Sequence, residues 1–456
     1  MMRSLFSGVA GLRTHQTRMD VIGNNIANVN TVGFKSSNVT FQELMYQTTQ
    51  NASGANEDTG RGGINAKQIG LGVSTAAINT TVATEGASQS TGNPFDIQIA
   101  GDSFFIVNSG KENYFTRAGA FYVDGVGNLA MTSNGFNVMG WQPDPTRPDL
   151  IKKDTVTPLR IMSAANMTAE PAATEKAYLS GIIDKNSTQL TSPDGLISNI
   201  AFYDSLGYSY VAKFSVKQED PDAGIFSLKL TDIIDSAKNE SLGNAEDYYK
   251  IGSTDNTVYI QYDTKTGQFK GYADTAAGPF DNPQNELTMV ANTTNKPSFA
   301  NIGVALDTSV MYDNNGTSTF AGTAGDYNGN NAGRKVGTMS GVSVQTDGKI
   351  YAAYDNGDTK LLGQIAVTSF ANPSGLEKAG DNLYSATMNS GLFDGIGKDV
   401  TSDGVGKMTT GVLEMSNVDL SAEFTDMITT QRGFQANSRI ITVSDSMIEE
   451  LTNLKR

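Results

Sequence analysis

The sequence predicts a mainly β protein whose two ends are α-helical. Three observations predict it. Long amphipathic helical periodicity is confined to residues 1–35 and to the stretch from Asn417 to Arg456. Between these ends run short alternating apolar segments punctuated by Asp-Gly, Asn-Gly and Gly-Asn turns. The composition, with 48 glycines, one tryptophan and only 18% charged residues, has the texture of turn-rich sheets and not of an α/β enzyme.

At the N-terminus, Leu5, Val9, Leu12, Gln16, Met19, Gly23 and Ile26 fall alternately four and three residues apart. That is a heptad seam with one polar and one glycine position. Asn24, Asn25, Asn28 and Asn30 follow. Asparagine competes for backbone hydrogen bonds, so the helix should stop here. Thr31-Val32-Gly33-Phe34 then reads as an exit turn before Lys35.

Residues 36–70 are poor in apolar positions and glycine-rich from Asn51 to Gly63, which predicts a connector without structure of its own. From Leu71 the pattern is of strands: Val73–Ile78, Phe95–Ile99, Phe104–Val107 and Tyr114–Phe121, with turn residues at Asp124-Gly125 and Gly127-Asn128. Pro143, Pro145 and Pro148 mark a boundary. Beyond it Ile200–Asp204, Tyr210–Val216, Phe226–Leu230 and Val258–Tyr262 read as strands, and Asp313–Gly333 as a loop. Val342–Thr346, Lys349–Tyr354 and Leu361–Phe370 make a meander with turns at Asp347-Gly348 and Asn356-Gly357.

The C-terminal helix opens with Asp419 as its expected N-cap. Phe434, Ile441 and Ile448 repeat every seven residues, flanked by Phe424, Met427, Ile440, Val443, Met447, Leu451 and Leu454, and no proline interrupts from Leu420 to Leu454. Such a helix is roughly 50 Å long and needs partners for its apolar side. Arg3, Arg13, Arg18 and Lys35 against Asp20 give the N-terminal stretch a net charge of +3, and residues 414–456 carry −3. Opposite charge favours pairing the two ends. Taken alone, the pattern suits a helical hairpin closing a domain as well as it suits an assembly coiled coil.

A net charge of −15 argues against nucleic acid as a partner. With no cysteine and one histidine, His15, disulfides and multi-histidine metal sites do not arise, and His15 reads as a surface or packing residue. No segment has the 18–20 apolar residues of a membrane span, and no apolar h-region suggests a cleaved signal peptide. Asp326-Tyr327-Asn328-Gly329-Asn330 starts like a calcium loop, but Asn331 and Gly337 stand at the positions that need Gly and Glu. Gly395-Ile396-Gly397-Lys398 lacks the spacing of a phosphate loop. No catalytic residue, cofactor or metal is expected. A secreted β-rich adhesin or glycan-acting protein is the alternative of another class, since a glycosidase needs only two carboxylates.

Ile22 to Lys35, reading IGNNIANVNTVGFK, closely resembles the N-terminal signature of the bacterial flagellar rod and hook family. Ser416-Asn417-Val418-Asp419-Leu420, then Phe424, then Thr430-Gln431-Arg432-Gly433-Phe434-Gln435-Ala436-Asn437-Ser438-Arg439 resembles that family's C-terminal signature. Residues 95–141 and the stretch from Val342 to Tyr384 also resemble its first β domain, and Phe202–Gly207 the opening of the outer domain of hook proteins.

The resemblance implies a fold with paired terminal helices in a coiled coil (1–35 and 414–456), a connector (36–70), a discontinuous inner β domain (71–144 and 336–413) and an inserted outer β domain (145–335). It implies a non-enzymatic subunit of a tubular homopolymer, a flexible universal joint that transmits motor torque from rod to filament. Expected neighbours are a distal rod protein, a hook cap and a hook–filament junction protein. Export would run through the flagellar type III apparatus to the cell exterior, without a cleaved signal. A distal rod or junction protein is the alternative within the family. The residues expected to carry assembly are Leu5, Val9, Leu12, Met19, Asn24, Asn25, Ile26, Asn28, Gly33, Phe34, Lys35, Phe424, Arg432, Phe434, Ile441, Ile448, Leu451 and Leu454.

Overall fold

A computed structural model describes residues 2–54, 60, 62–252, 255–280, 285–402 and 406–454. The two long amphipathic stretches form its long helices: α1, Met2–Ala27, and α2, Leu420–Asn453. Asp419 caps α2 as its sequence requires, accepting from Ser421 N and Ala422 N. Asparagine ends α1, with Asn28 Nδ2 donating to Asn24 O at 2.9 Å. Gly33 then turns the chain at φ +69°, and a Cβ there would stand 2.7 Å from Ala118 N. Among the described residues, no helix is long and apolar enough to cross a membrane.

The chain folds into two units. One comprises residues 1–166, 341–352 and 359–456, and the other 167–340 and 353–358. In the first, strands Thr359–Ile365, Asn137–Trp141, Phe104–Asn108, Asn113–Thr116, Leu383–Ser385 and Glu377–Gly380 lie side by side in that order, each pair antiparallel. Alternation along Phe104–Asn108 sends Phe104 and Ile106 into an aromatic cluster with Phe115, Trp141, Phe370 and Tyr384. Phe105, on the other face, meets Phe121 edge-on at 5.0 Å.

Two expectations need correction here. The connector is not structureless: Ser37–Glu43 pairs antiparallel with Val73–Thr80, and Tyr46–Gln50 with Lys67–Gly70. Val73–Ile78 was legible as a strand, but Ser37–Glu43, Tyr46–Gln50 and Lys67–Gly70 carry polar residues on both faces, so apolar periodicity passed over them. The prolines after Trp141 do not end the first unit either. Pro143–Asp144 and Arg147–Ile151 form a small ladder, after which Thr157–Pro158 pairs with Gly140 and Met139. Val156, Leu159 and Ile161 are buried, and Val156 N donates to Gly395 O at 3.0 Å. The unit therefore runs to residue 166 where 144 was expected, and the insertion runs to 340 where 335 was expected.

In the second unit, Leu196–Tyr203, Ser209–Asp220, Ile225–Asp235, Thr257–Tyr262 and Phe269–Ala273 form a sheet in chain order. A second sheet sets Lys176–Ile183 parallel to both Ile302–Ala305 and Ser309–Met311. One core, with Phe202, Tyr210, Tyr249 and Phe299 at its aromatic centre, serves both sheets. The segment read as a loop from Asp313 contains the strand Ala321–Ala324, which pairs with Lys176–Ile183. Asp326 bonds its own turn, accepting from Asn328 N and Asn330 N at 2.9 and 2.8 Å.

Candidate assembly site

The α1–α2 seam is built one residue away from the heptad read off the sequence. Gly8, Gly11, His15, Arg18, Ile22 and Asn25, alternately three and four apart, meet α2 or lie buried. A Cβ on Gly8 would touch Ile441 at 3.4 Å, and one on Gly11 would stand 2.6 Å from Asn437 Nδ2. Opposite, a Cβ on Gly433 would stand 2.7 Å from the His15 ring. Arg18 pairs with Asp426 at 2.9 Å, and Asn25 Nδ2 donates to Glu423 Oε1 at 2.8 Å. Residue numbers rise along α1 as they fall along α2, so the helices are antiparallel.

Glycine in a helix interior costs about 1 kcal/mol against alanine, so Gly8, Gly11 and Gly433 mark where the backbones approach closely. That signal was present in the sequence. An apolar count passed over it, because the seam is made of glycine, histidine and asparagine. The opposite charges of the two ends meet along the helices at one described ion pair, Arg18–Asp426, whose partly exposed side chains contribute little, and beyond the helices at the buried pair Lys35–Glu414.

The sequence-derived residues divide accordingly. Leu5, Leu12, Met19 and Ile26 flank the seam half-buried, while Val9 and Asn24 are exposed. Phe434, Ile441 and Ile448 are half-buried on the α2 side. Phe424, Arg432, Leu451 and Leu454 face out, Leu454 being 83% exposed. With Ile440, Val443 and Met447, the last two form a second apolar stripe, spaced three and four apart, that stays exposed among the described residues.

The helices are fastened to the sheet at a polar junction. Asn25 holds the chain after the exit turn, donating to Ser37 O at 2.8 Å and accepting from Ser37 N at 3.0 Å. Asn28 is half-buried at the turn and Phe34 is buried, its ring 5.3 Å from the Lys378 ammonium. Gly33 N donates to Glu414 O at 2.8 Å. Lys35, fully buried, donates through Nζ to Glu414 Oε1 at 2.7 Å and to Thr84 O at 2.6 Å.

Arg117 completes the cluster. Its Nη1 is 3.7 Å from Glu414 Oε2, and its guanidinium lies 5.2 Å from the Phe104 ring centroid. Burial lowers the Lys35 ammonium from its ordinary value, and the Glu414 carboxylate opposes that shift. Asn417 closes the junction, accepting from Ser36 N at 2.8 Å and donating to Thr81 O at 2.9 Å. Glu414 and Arg117 were not singled out as site residues from the sequence, because nothing local shows that residues 35, 117 and 414 converge; Asn417 stood there only as part of the C-terminal signature.

Comparison with known proteins agrees with this geometry. Residues 5–35 match the flagella basal body rod protein model, 98–174 the flagellar hook protein FlgE/F/G D1 domain, and 409–454 the flagellar basal body rod FlgEFG protein C-terminal model. The chain is 35% identical to the flagellar hook protein FlgE of Treponema pallidum and 36% identical to that of Borreliella burgdorferi, each over the full length of both chains. It is 29% identical, again over both full lengths, to the flagellar basal-body rod protein FlgG of Bacillus subtilis. The chain belongs to the flagellar hook protein family, whose members are structural, polymer-forming components of the bacterial flagellum.

Proposed function

We propose that this chain polymerises head to tail into the tube of the hook, with α1 and α2 forming the inner layer and the β units the outer ones. The tube is a universal joint that bends while passing torque from rod to filament. It meets a distal rod protein below, and a cap and then a junction protein above. The chain leaves the cell through the flagellar type III apparatus without a cleaved signal and performs no catalysis.

One observation carries the reading. α2 is apolar on two faces, and α1 covers only one; Ile440, Val443, Met447, Leu451 and Leu454 stay exposed. A helix with an uncovered apolar stripe needs neighbours. The seam buries glycine and polar groups, so pairing within one chain gains little apolar area and assembly completes it. Heterologous contacts that do not close give an open filament.

A distal rod subunit is the second reading, favoured by the full-length match to a protein named as a rod component. The higher identity to hook proteins favours the hook. Electron microscopy of the assembled full-length chain, beside a chain trimmed to residues 28–418 that keeps the Lys35–Glu414 junction, tests the proposal. Tubes from the first and monomers from the second are expected. Tubes from both would place the polymer contacts outside the helices.

A further inference from the structure

Met388 and Leu392 lie on the loop after the strand Leu383–Ser385 and are 97% and 80% exposed. Two large apolar side chains left this bare, four residues apart, are unfavourable in water. Yet the loop that carries them is pinned. Ser390, fully buried between them, accepts from Thr387 N at 2.9 Å and donates to Thr387 O at 3.0 Å. Phe393 packs edge-on to Phe115 at 5.4 Å, and Trp141 Nε1 donates to Ile396 O at 3.0 Å. The loop is a pre-organised apolar knob.

The same unit carries an open hollow of about 500 Å³, lined on its apolar side by Val32, Ala118, Ala120 and Met131 and otherwise by polar groups that include Ser133, Asp381 and Asn382. Knob and hollow sit on opposite faces of the sheet. Through Phe393 and Phe115 the knob joins the cluster that takes Phe104. The hollow is built on the segment that packs on Phe105, whose ring lies 5.0 Å from Phe121 and 3.1 Å from where a Cβ on Gly119 would stand. Phe104 and Phe105 are successive residues of one strand and point to opposite sides.

A knob on one face and a hollow on the other make a heterologous contact, one that propagates instead of closing. We propose that the Met388–Leu392 knob of one copy seats in the Val32–Ala120–Met131 hollow of the next. The occupant is a second copy because this chain supplies both halves of the contact and belongs to a polymer-forming family; the inference rests on the homopolymer reading. Methionine is also among the residues enriched at interface cores. The hollow's wall is continuous with the exit turn of α1, since Asn382 Nδ2 holds Val32 O at 2.8 Å. Knob docking and helix order therefore share one turn.

The chain has no cysteine, so an engineered pair reports the contact directly. Full-length chain carrying Leu392→Cys with Ser133→Cys is assembled, checked for tubes by electron microscopy, oxidised with copper phenanthroline and run on a non-reducing gel. A ladder of dimers, trimers and longer products is expected, with each single variant remaining monomeric. Tubes without a ladder overturn the proposal, as do dimers alone, which mean a two-fold contact. Absence of tubes from the unsubstituted chain defeats the homopolymer reading instead. Leu392→Asp, at an exposed position, gives a second measure. It should raise the critical concentration for assembly at least about tenfold with an unchanged far-UV spectrum, and an unchanged critical concentration overturns the contact.

Discussion

Lys35 and Glu414, 379 residues apart in sequence, meet at 2.7 Å with both side chains inaccessible to water. The pair ties the exit of α1 to the segment that enters α2, and Arg117 ties both to the sheet through the second carboxylate oxygen. The helices therefore emerge from one buried electrostatic node. Its charges are desolvated, so it is weak as a source of net stability but sensitive to the loss of one member.

Lys35→Met should cost about 3–5 kcal/mol, because it leaves the buried Glu414 carboxylate with only Gly86 N and the more distant Arg117. Chemical denaturation monitored by far-UV circular dichroism measures this. Glu414→Gln should cost more than Lys35→Met, because it leaves both Lys35 and Arg117 buried without their carboxylate. A Glu414→Gln variant no less stable than Lys35→Met would show that the node is not coupled through Glu414.

The two candidate seams make opposite demands on two glycines. A Cβ on Gly23, which lies in the heptad read off the sequence, meets nothing within 4 Å, so Gly23→Ala should stabilise by about 0.5–1 kcal/mol through helix propensity. Gly11 faces Asn437 at 2.6 Å, so Gly11→Val should cost about 1–3 kcal/mol by overpacking. Thermal melting of α-helical ellipticity distinguishes them. A stabilised Gly11→Val beside a destabilised Gly23→Ala would restore the apolar register.

That contrast shows where the sequence was legible. Period-seven repetition of Phe434, Ile441 and Ile448 placed the α2 side of the seam on a half-buried face, because those positions are apolar and the rule counts apolar residues. On α1 the contact is made by glycine backbone and by His15 and Asn25, so the same count selected the flanking row. Strands with alternating burial were readable at least in part, as where Ile200–Asp204 marked the second half of Leu196–Tyr203; Tyr46–Gln50 and Lys67–Gly70, mostly exposed, were not. The Lys35–Glu414–Arg117 node depends on topology, which no local pattern encodes.

His15 makes helix pairing sensitive to acid. Burial first, and then the Arg18 guanidinium on the same helix, hold its imidazole below the ordinary 6.5. It packs against Gly433 of α2, next to Arg432, and edge-on to Phe41 of the strand Ser37–Glu43 at 5.8 Å; Arg18 is in turn paired with Asp426. A base with a lowered folded pKa binds fewer protons folded than unfolded. Its contribution is therefore complete above 6.5 and declines as pH falls through 6.5 toward the folded value. Glu423 acts in the opposite sense, since burial raises its carboxyl above the ordinary 4.5 and stabilises the folded chain as pH falls. Helix melting should weaken between pH 7 and 5 in the natural chain and stay flatter in His15→Gln. Equal slopes in the two would remove His15 from the account.

The uncovered stripe on α2 separates helix pairing from assembly. Met447 and Leu451 are exposed and lie off the seam, so Met447→Lys with Leu451→Lys should leave the single chain's helicity and denaturation midpoint within about 0.5 kcal/mol of the natural chain, as surface changes do. In a polymer whose inner layer buries that stripe, the same two charges would have to be desolvated without partners, which is far more costly than losing two apolar contacts. Sedimentation should therefore find the double variant monomeric at concentrations where the natural chain pellets as tubes. Ile22→Asp should behave differently, because Ile22 is buried on the seam and its loss disturbs the single chain first. If the lysine variant pellets normally while its helices are intact, the stripe faces solvent in the polymer as well, and the inner layer must be held by the opposite face of α2.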